Sequence, residues 1–296
     1  RHCEEGRMSI VTMSVNFPGA KRPLEEGAKL GWWQFVLLEG SRVNIPPTDC
    51  YIFAAWSPYY SHLMSLGRIG ILWTSSLAEM EFTPIEQAYL NQILSDPRIS
   101  FVWFGDRSLA QLHPEKGFYA PYPLDPFIPG VAQVQKEDYI TLFCPTKLSK
   151  NIHNQLCAVA LLQKERKLTL YTNVPVSEDI EHVPFGWVPQ EQYHQLVARA
   201  RVNLAVSWAE TFHYGCAEAA LLGTASVVSP ALDWYPIPAL RVKNPNNPLE
   251  IKEKILFALD NPELGAMARE GVIGVAEERN AIVKEKLSVL DKTLIK

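Results

Sequence analysis

Several features are missing from this 296-residue sequence, and each absence narrows its class. No apolar run approaches the roughly 20 residues that cross a bilayer. The first residues, RHCEEGRMSIV, lack the long apolar core of a secretory signal. The five cysteines (3, 50, 144, 157 and 216) are scattered, odd in number and without a CxxC pair. That pattern points away from a disulfide framework and towards reduced thiols in a cytosol-like compartment, most of them serving as core packing. Positive charge is not in excess, the balance being −4, so no global basic field advertises nucleic acid. There is no internal repeat and no low-complexity tract.

What is present reads as a soluble α/β protein. Apolar residues make up 47% and charged residues 20%, and the length suits two domains of ordinary size. Short apolar runs alternate with longer helical patterns, the mark of α/β layering. In the first half the expected strands are 8–16, 50–55, 69–74, 99–104 and a short one near Phe118. Helices are expected at 24–39, 58–66, 84–94 and 108–112. The passage APYPLDPFIPG (120–130) has four prolines in eleven residues, which suit neither a helix interior nor a central strand. It reads as an interdomain linker extending over about 120–137. The pattern then restarts, with strands at 139–143, 167–171, 183–187, 202–207 and 226–229. Helices are expected at 151–165, 191–200 and 212–222, with a helical tail from Leu249 broken near Asn261-Pro262. The expected organisation is therefore a domain over 1–125, a second over 138–275, and a closing segment, 276–296, that crosses back onto the first or makes a dimer contact. Each domain is read as a doubly wound parallel sheet, whose ligands bind beyond the carboxyl ends of its strands. The cleft between two such sheets is the natural site.

The stretch SWAETFHYGCAEAALLGTASVVSP (207–230) places Glu210 and Glu218 eight positions apart, where a buried strand turns into a helix. Glu210 falls before the helix and Glu218 about two turns in. The free N–H groups and positive dipole end there suit a phosphate, and Gly215 has no side chain to block close approach. Carboxylates on either side of a diphosphate could accept from vicinal hydroxyls of a sugar or ribose. The spacing alone is equally consistent with a dipole-favoured glutamate and a solvated one.

Residues 182–229 carry more than the glutamate pair: a Gly-aromatic-Val-Pro turn, an acidic-start helix, a strand ending in Ser, the two glutamates, then Gly-Thr-x-x-Val-Val. This run resembles the retaining GT-B glycosyltransferases with an E-x7-E motif, the family 4-like enzymes. The resemblance implies a GT-B fold of two Rossmann-like domains and transfer of a sugar, a hexose by expectation, from a nucleoside-diphosphate donor with retention. It assigns Glu218 to the nucleotide ribose and Glu210 to the transferred sugar. His213, Tyr214 and Gly215 would face the sugar and diphosphate, His213 standing where the family has glycine. Lys150 matches the family's phosphate-binding lysine, whereas the arginine five positions earlier is Pro145, with Lys147 as a nearby substitute. The base would lie against Trp187 and Val188. With no D-x-D anywhere, no metal and no cofactor are expected. Lys150, Lys147 and the helix N-terminus would stabilise the leaving diphosphate.

The acceptor half is less determined. SVNFPGAKRP (14–23), AAWSPYY (54–60) and WTSSLAEME (73–81) follow strands and should face the cleft. Trp56 and Trp73, with Tyr59 and Tyr60, could stack on sugar rings or simply pack; His62 and His113 are candidates for a group near the reacting sugar. The acceptor could be a glycan, lipid, protein or small molecule; nucleic acid and a membrane span are not expected, and a cytoplasmic location is. Two other readings stand beside transfer: a phosphorylase or sugar-nucleotide epimerase on the same architecture, and a non-catalytic nucleotide- or glycan-binding module.

Overall fold

The structure, a computed structural model, describes residues 9–14, 18–38, 45–54, 68–129, 134–186 and 188–294. It divides into two compact units, one formed by residues 1–125 and 276–296 and the other by 126–275.

The first unit is built on six strands: β1 (Ile10–Ser14), β2 (Gln34–Leu37), β3 (Cys50–Ala54), β4 (Ile69–Trp73), β5 (Ile99–Phe104) and β6 (Gly117–Tyr119). Their order is β2-β1-β3-β4-β5-β6, every pair parallel. β1, β3 and β4 are buried at every residue, as expected of parallel strands covered on both faces. Met13, Phe53, Ile71, Val102 and Phe104 form the centre of one core layer. Helices α1 (Pro18–Lys29), α2 (Leu77–Glu81), α3 (Pro84–Ser95) and α4 (Arg107–Leu112) accompany the sheet. The sheet reverses direction of growth between β1 and β3, but the loops after these strands, 15–17 and 55–67, fall largely or wholly outside the described residues. So do Trp56, Tyr59, Tyr60 and His62, and the helix expected at 58–66.

The start of the chain departs from expectation. Residues 18–23 are helical rather than loop, because Pro18 opens α1 and Pro23 removes only one amide from its ladder. The helix expected to run through to residue 39 ends at Lys29. Gly31 adopts φ 75°, a left-handed turn that favours glycine, and the β-prone run QFVL then pairs with β1 instead. Trp33 locks the turn by donating its indole N–H to Leu24 O at 2.7 Å.

The proline-rich passage is structured at its beginning. Residues 120–124 are buried in the first unit, and Tyr122 donates its hydroxyl to Trp73 O at 2.7 Å. Trp73 itself is 6% exposed among core side chains, so its ring is packed rather than offered as an open stacking face. His113 stacks on Phe104.

The second unit carries β7 (Tyr139–Leu142), β8 (Thr169–Thr172), β9 (His182–Pro184), β10 (Val202–Ala205) and β11 (Ala225–Val228) in the order β11-β10-β7-β8-β9, again all parallel. This is the doubly wound order in which the first and fourth strands of the unit lie side by side. A buried polar ladder runs across them: Thr141 donates to Asn203, and Asn203 donates to Ser226. Helices α5 (Ile152–Gln163), α6 (Gln190–Arg199), α7 (Tyr214–Leu221) and α8 (Pro248–Asp260) belong to this unit. The tail is interrupted at Asn261-Pro262, after which a single 31-residue helix, α9 (Leu264–Leu294), runs across the boundary between the units at residue 276. The closing segment expected over 276–296 is therefore not a helix of its own, because no proline interrupts the chain between residues 264 and 294.

Candidate functional site

The chain reverses direction across the second sheet between β7 and β10, and the loops beyond the carboxyl ends of those two strands define the site. After β7 the chain makes a short 3-10 turn at Leu148–Lys150, and after β10 it enters the segment 206–213 that leads into α7. These two loops meet. Lys150 Nζ donates to Glu210 Oε1 at 2.6 Å, and Ser207 Oγ donates to the same oxygen at 2.8 Å. The pair is nearly closed to solvent, with side chains 9% and 5% exposed. Burial pushes the Glu210 carboxyl up, but the Lys150 and His213 charges and the bonds from Lys150 and Ser207 outweigh it and hold the group below the usual carboxylate range.

The turn bearing Lys150 is held from several sides. Asn151 is the only described non-glycine residue at positive φ (52°), and its Nδ2 donates to Pro245 O at 2.6 Å. Gln155 Nε2 donates to Lys150 O, while its Oε1 accepts Val206 N–H on the other loop. Trp208 N–H donates to Ser149 O, and its indole to Asn246 Oδ1. One buried glutamine and one tryptophan therefore tie the lysine loop to the glutamate loop.

His213 caps α7. Its Nδ1 accepts the Cys216 N–H at 3.0 Å, and its Nε2 stands 3.9 Å from Glu210 Oε1. The helix N-terminus expected to be open thus has one amide occupied by a side chain. Tyr214 begins the helix, its ring edge-on to Phe212. Gly215 does admit a close neighbour: a Cβ there would lie 3.1 Å from Tyr193 Oη and 3.3 Å from His213 Cε1.

Glu218 is buried on α7, 6% exposed. Its Oε1 accepts from Gln190 Nε2 at 3.1 Å and lies 3.3 Å from His194 Nε2. Gln190 and His194 are four apart on α6, so one face of that helix presents both. Lys147 is exposed on its turn, and no described contact joins it to the glutamates. Pro145, in the place of the expected arginine, is exposed too. Val188 is half-buried between β9 and α6; Trp187 lies outside the described residues.

Sequence reasoning missed Ser207, Gln190, His194 and Tyr193. Ser207 was legible as the serine closing the β10 run, three residues before Glu210. Gln190 and His194 carry the weak signal of two polar residues at helical spacing; only α6 packing beside α7 gives them a partner.

No group of three or more His, Cys, Asp or Glu able to hold a metal occurs among the described residues. Nor is any described helix long and apolar enough to cross a membrane.

No protein-family model and no curated protein matches the sequence. Similar solved structures exist, at low identity. S. aureus TarM, solved with fondaparinux, α-GlcNAc-glycerol and UDP, superposes with a TM-score of 0.63 at 14% identity over 80% of this chain and 55% of that one. Anabaena HepE in complex with UDP gives 0.62 at 13%, over 97% and 99% of the two chains. A UDP-forming α,α-trehalose-phosphate synthase from Burkholderia xenovorans gives 0.59 at 12%, over 97% and 98%. The chain spans about half the length of TarM and nearly all of the other two. With two Rossmann-like parallel-sheet units and these structural neighbours, the chain has the GT-B fold.

Proposed function

We propose that the chain is a retaining glycosyltransferase that moves a sugar, a hexose in the simplest case, from a nucleoside-diphosphate donor to an acceptor without a metal ion. The observation that carries this reading is the buried Lys150–Glu210 pair at the point where the second sheet reverses. Ligands of doubly wound sheets bind at that point. UDP in the TarM and HepE structures supports a nucleotide donor of this kind.

Glu218 takes the ribose hydroxyls, held in orientation by Gln190 and His194. Lys150 receives the negative charge that grows on the diphosphate as the glycosidic bond breaks, in a site where low dielectric strengthens the interaction. Glu210, kept ionised by its neighbours, faces the transferred sugar, and Tyr214 and Gly215 line the diphosphate. Val188 and Trp187 lie by the base. Lys147 adds positive charge at the mouth of the lysine loop. Retention follows from substitution on the face from which the diphosphate leaves. The acceptor side belongs to the first unit, where Trp56 is a candidate for stacking, with Tyr59 and Tyr60.

Calorimetric titration with UDP, GDP and ADP in EDTA tests this reading. Tight binding of one nucleotide is expected, weakened by about 1–3 kcal/mol in Glu218→Ala, the range for a lost hydrogen bond to a charged acceptor. Unchanged affinity in the variant removes Glu218 from the site. Binding restored only by a divalent cation overturns the metal-free mechanism.

A further inference from the structure

His213 is committed at one ring nitrogen and poised at the other. Because Nδ1 accepts the Cys216 N–H, the proton of the neutral ring sits on Nε2. That atom points at Glu210 Oε1 but stops 3.9 Å short, beyond hydrogen-bond reach. The oxygen it faces is already taken by Lys150 at 2.6 Å and Ser207 at 2.8 Å.

The donor reading makes this arrangement unstable to ligand. A diphosphate needs the same ammonium that Glu210 holds. Drawing Lys150 towards phosphate strips a carboxylate that is 5% exposed of its main counter-charge, and a buried charge left without a partner is strongly unfavourable. The imidazole stands close enough to replace the lost donor by a small rotation about its side-chain bonds.

We propose that His213 is a positioning residue for Glu210, closing from 3.9 Å to hydrogen-bond distance and holding the carboxylate in place as a nucleoside diphosphate draws Lys150 away. This inference rests on the nucleotide-donor reading of the same site.

The charges around the ring set the consequence. Burial pulls the His213 pKa down, Glu210 from the segment after β10 raises it, Lys150 from the turn before α5 lowers it, and Glu218 on α7 raises it. Tyr193 of α6 reaches the Gly215 backbone beside the ring. Cys216, on His213's own helix, has its thiol pushed up to about 12 by burial and stays neutral. Ligand binding removes the Lys150 repulsion and adds diphosphate charge, and both favour imidazolium. His213 then takes a proton from solvent at Nδ1, releases the Cys216 N–H, and meets Glu210 through Nε2 as a charged donor, which strengthens the bond.

NMR titration of the histidine rings with and without saturating UDP, GDP or ADP checks this. His213→Asn identifies the resonance while keeping an oxygen able to cap α7. In the wild type the proton affinity of His213 should rise about tenfold or more on nucleotide binding. In Glu210→Gln the rise should be distinctly smaller, because the partner carboxylate is gone. Nucleotide binding with His213 unmoved overturns the inference alone, as does an equal rise in both proteins, which assigns the effect to the diphosphate. Failure of all three nucleotides to bind overturns the donor reading and this inference with it.

Discussion

Three side chains meet beyond the carboxyl ends of β7 and β10: Lys150, Glu210 and His213. Taking a carboxylate and an ammonium out of water is costly, and the mutual attraction offsets that cost only with good geometry and further hydrogen bonds. Ser207 supplies one of those bonds. Both titrating partners of the cluster act in the same direction with pH. Glu210 is held below its ordinary range, so its contribution is present above the unfolded carboxyl value and is lost as pH falls through the folded one. His213 is likewise lowered, burial being the largest cause. Its neutral form contributes fully above the unfolded value near 6.5, and the contribution is lost as pH falls from there towards the folded value. Thermal unfolding between about pH 8 and pH 5 should therefore show the wild type losing more stability below about pH 6.5 than His213→Asn does. Parallel losses in the two proteins assign that titration to another group.

At the scale of elements, the site depends on how α7 ends as well as on how it begins. The helix terminates at Gly223, whose φ of 74° is the left-handed stop that returns the chain to β11. The turn then packs against the start of α9, where a Cβ on Gly265 would lie 2.3 Å from Gly223 O. That neighbour is backbone and has little room to move. Gly265→Ala should destabilise the second unit by about 1–3 kcal/mol through overpacking, against a helix-propensity gain of up to about 1 kcal/mol. Denaturant unfolding reads the difference; a more stable variant means that the turn shifts freely and does not position α7. Competition between elements also explains the early end of the first helix. Its periodicity continues past Lys29, but the β-prone run QFVL pairs as an edge strand beside β1 instead.

For the whole molecule, the division of the chain separates the candidate site from the end of the last helix. Lys150, Glu210 and Glu218 all fall within 126–275, whereas the end of α9 belongs with residues 1–125. Asn280 clamps the backbone of Leu124 from both sides, accepting its N–H at 3.1 Å and donating to its carbonyl at 2.8 Å. Arg279 donates to Tyr122 O beside it. Asn280→Ala leaves those groups unsatisfied and should cost the first unit about 1–3 kcal/mol. Nucleotide affinity should not change. A fall in affinity matching the fall in stability means that the two units respond as one.

The sequence by itself determined the α/β class and nearly every strand of both sheets, and it singled out Glu210, Glu218 and Lys150 as candidates. Parallel strands covered on both faces read as continuous apolar runs, and the turn from strand into helix around Glu210 is local in the chain. Tertiary structure decided the rest. Lys150 and Glu210 are 60 residues apart and become neighbours only because β7 and β10 lie side by side. His194 and Gln190 acquire Glu218 as a partner only because α6 packs beside α7. His213 could be read locally as a cap, but its second nitrogen gains a purpose from a carboxylate held in place by another loop. Local propensity is written in neighbouring residues; the pairing of buried charges depends on strand order, which no single stretch of sequence contains.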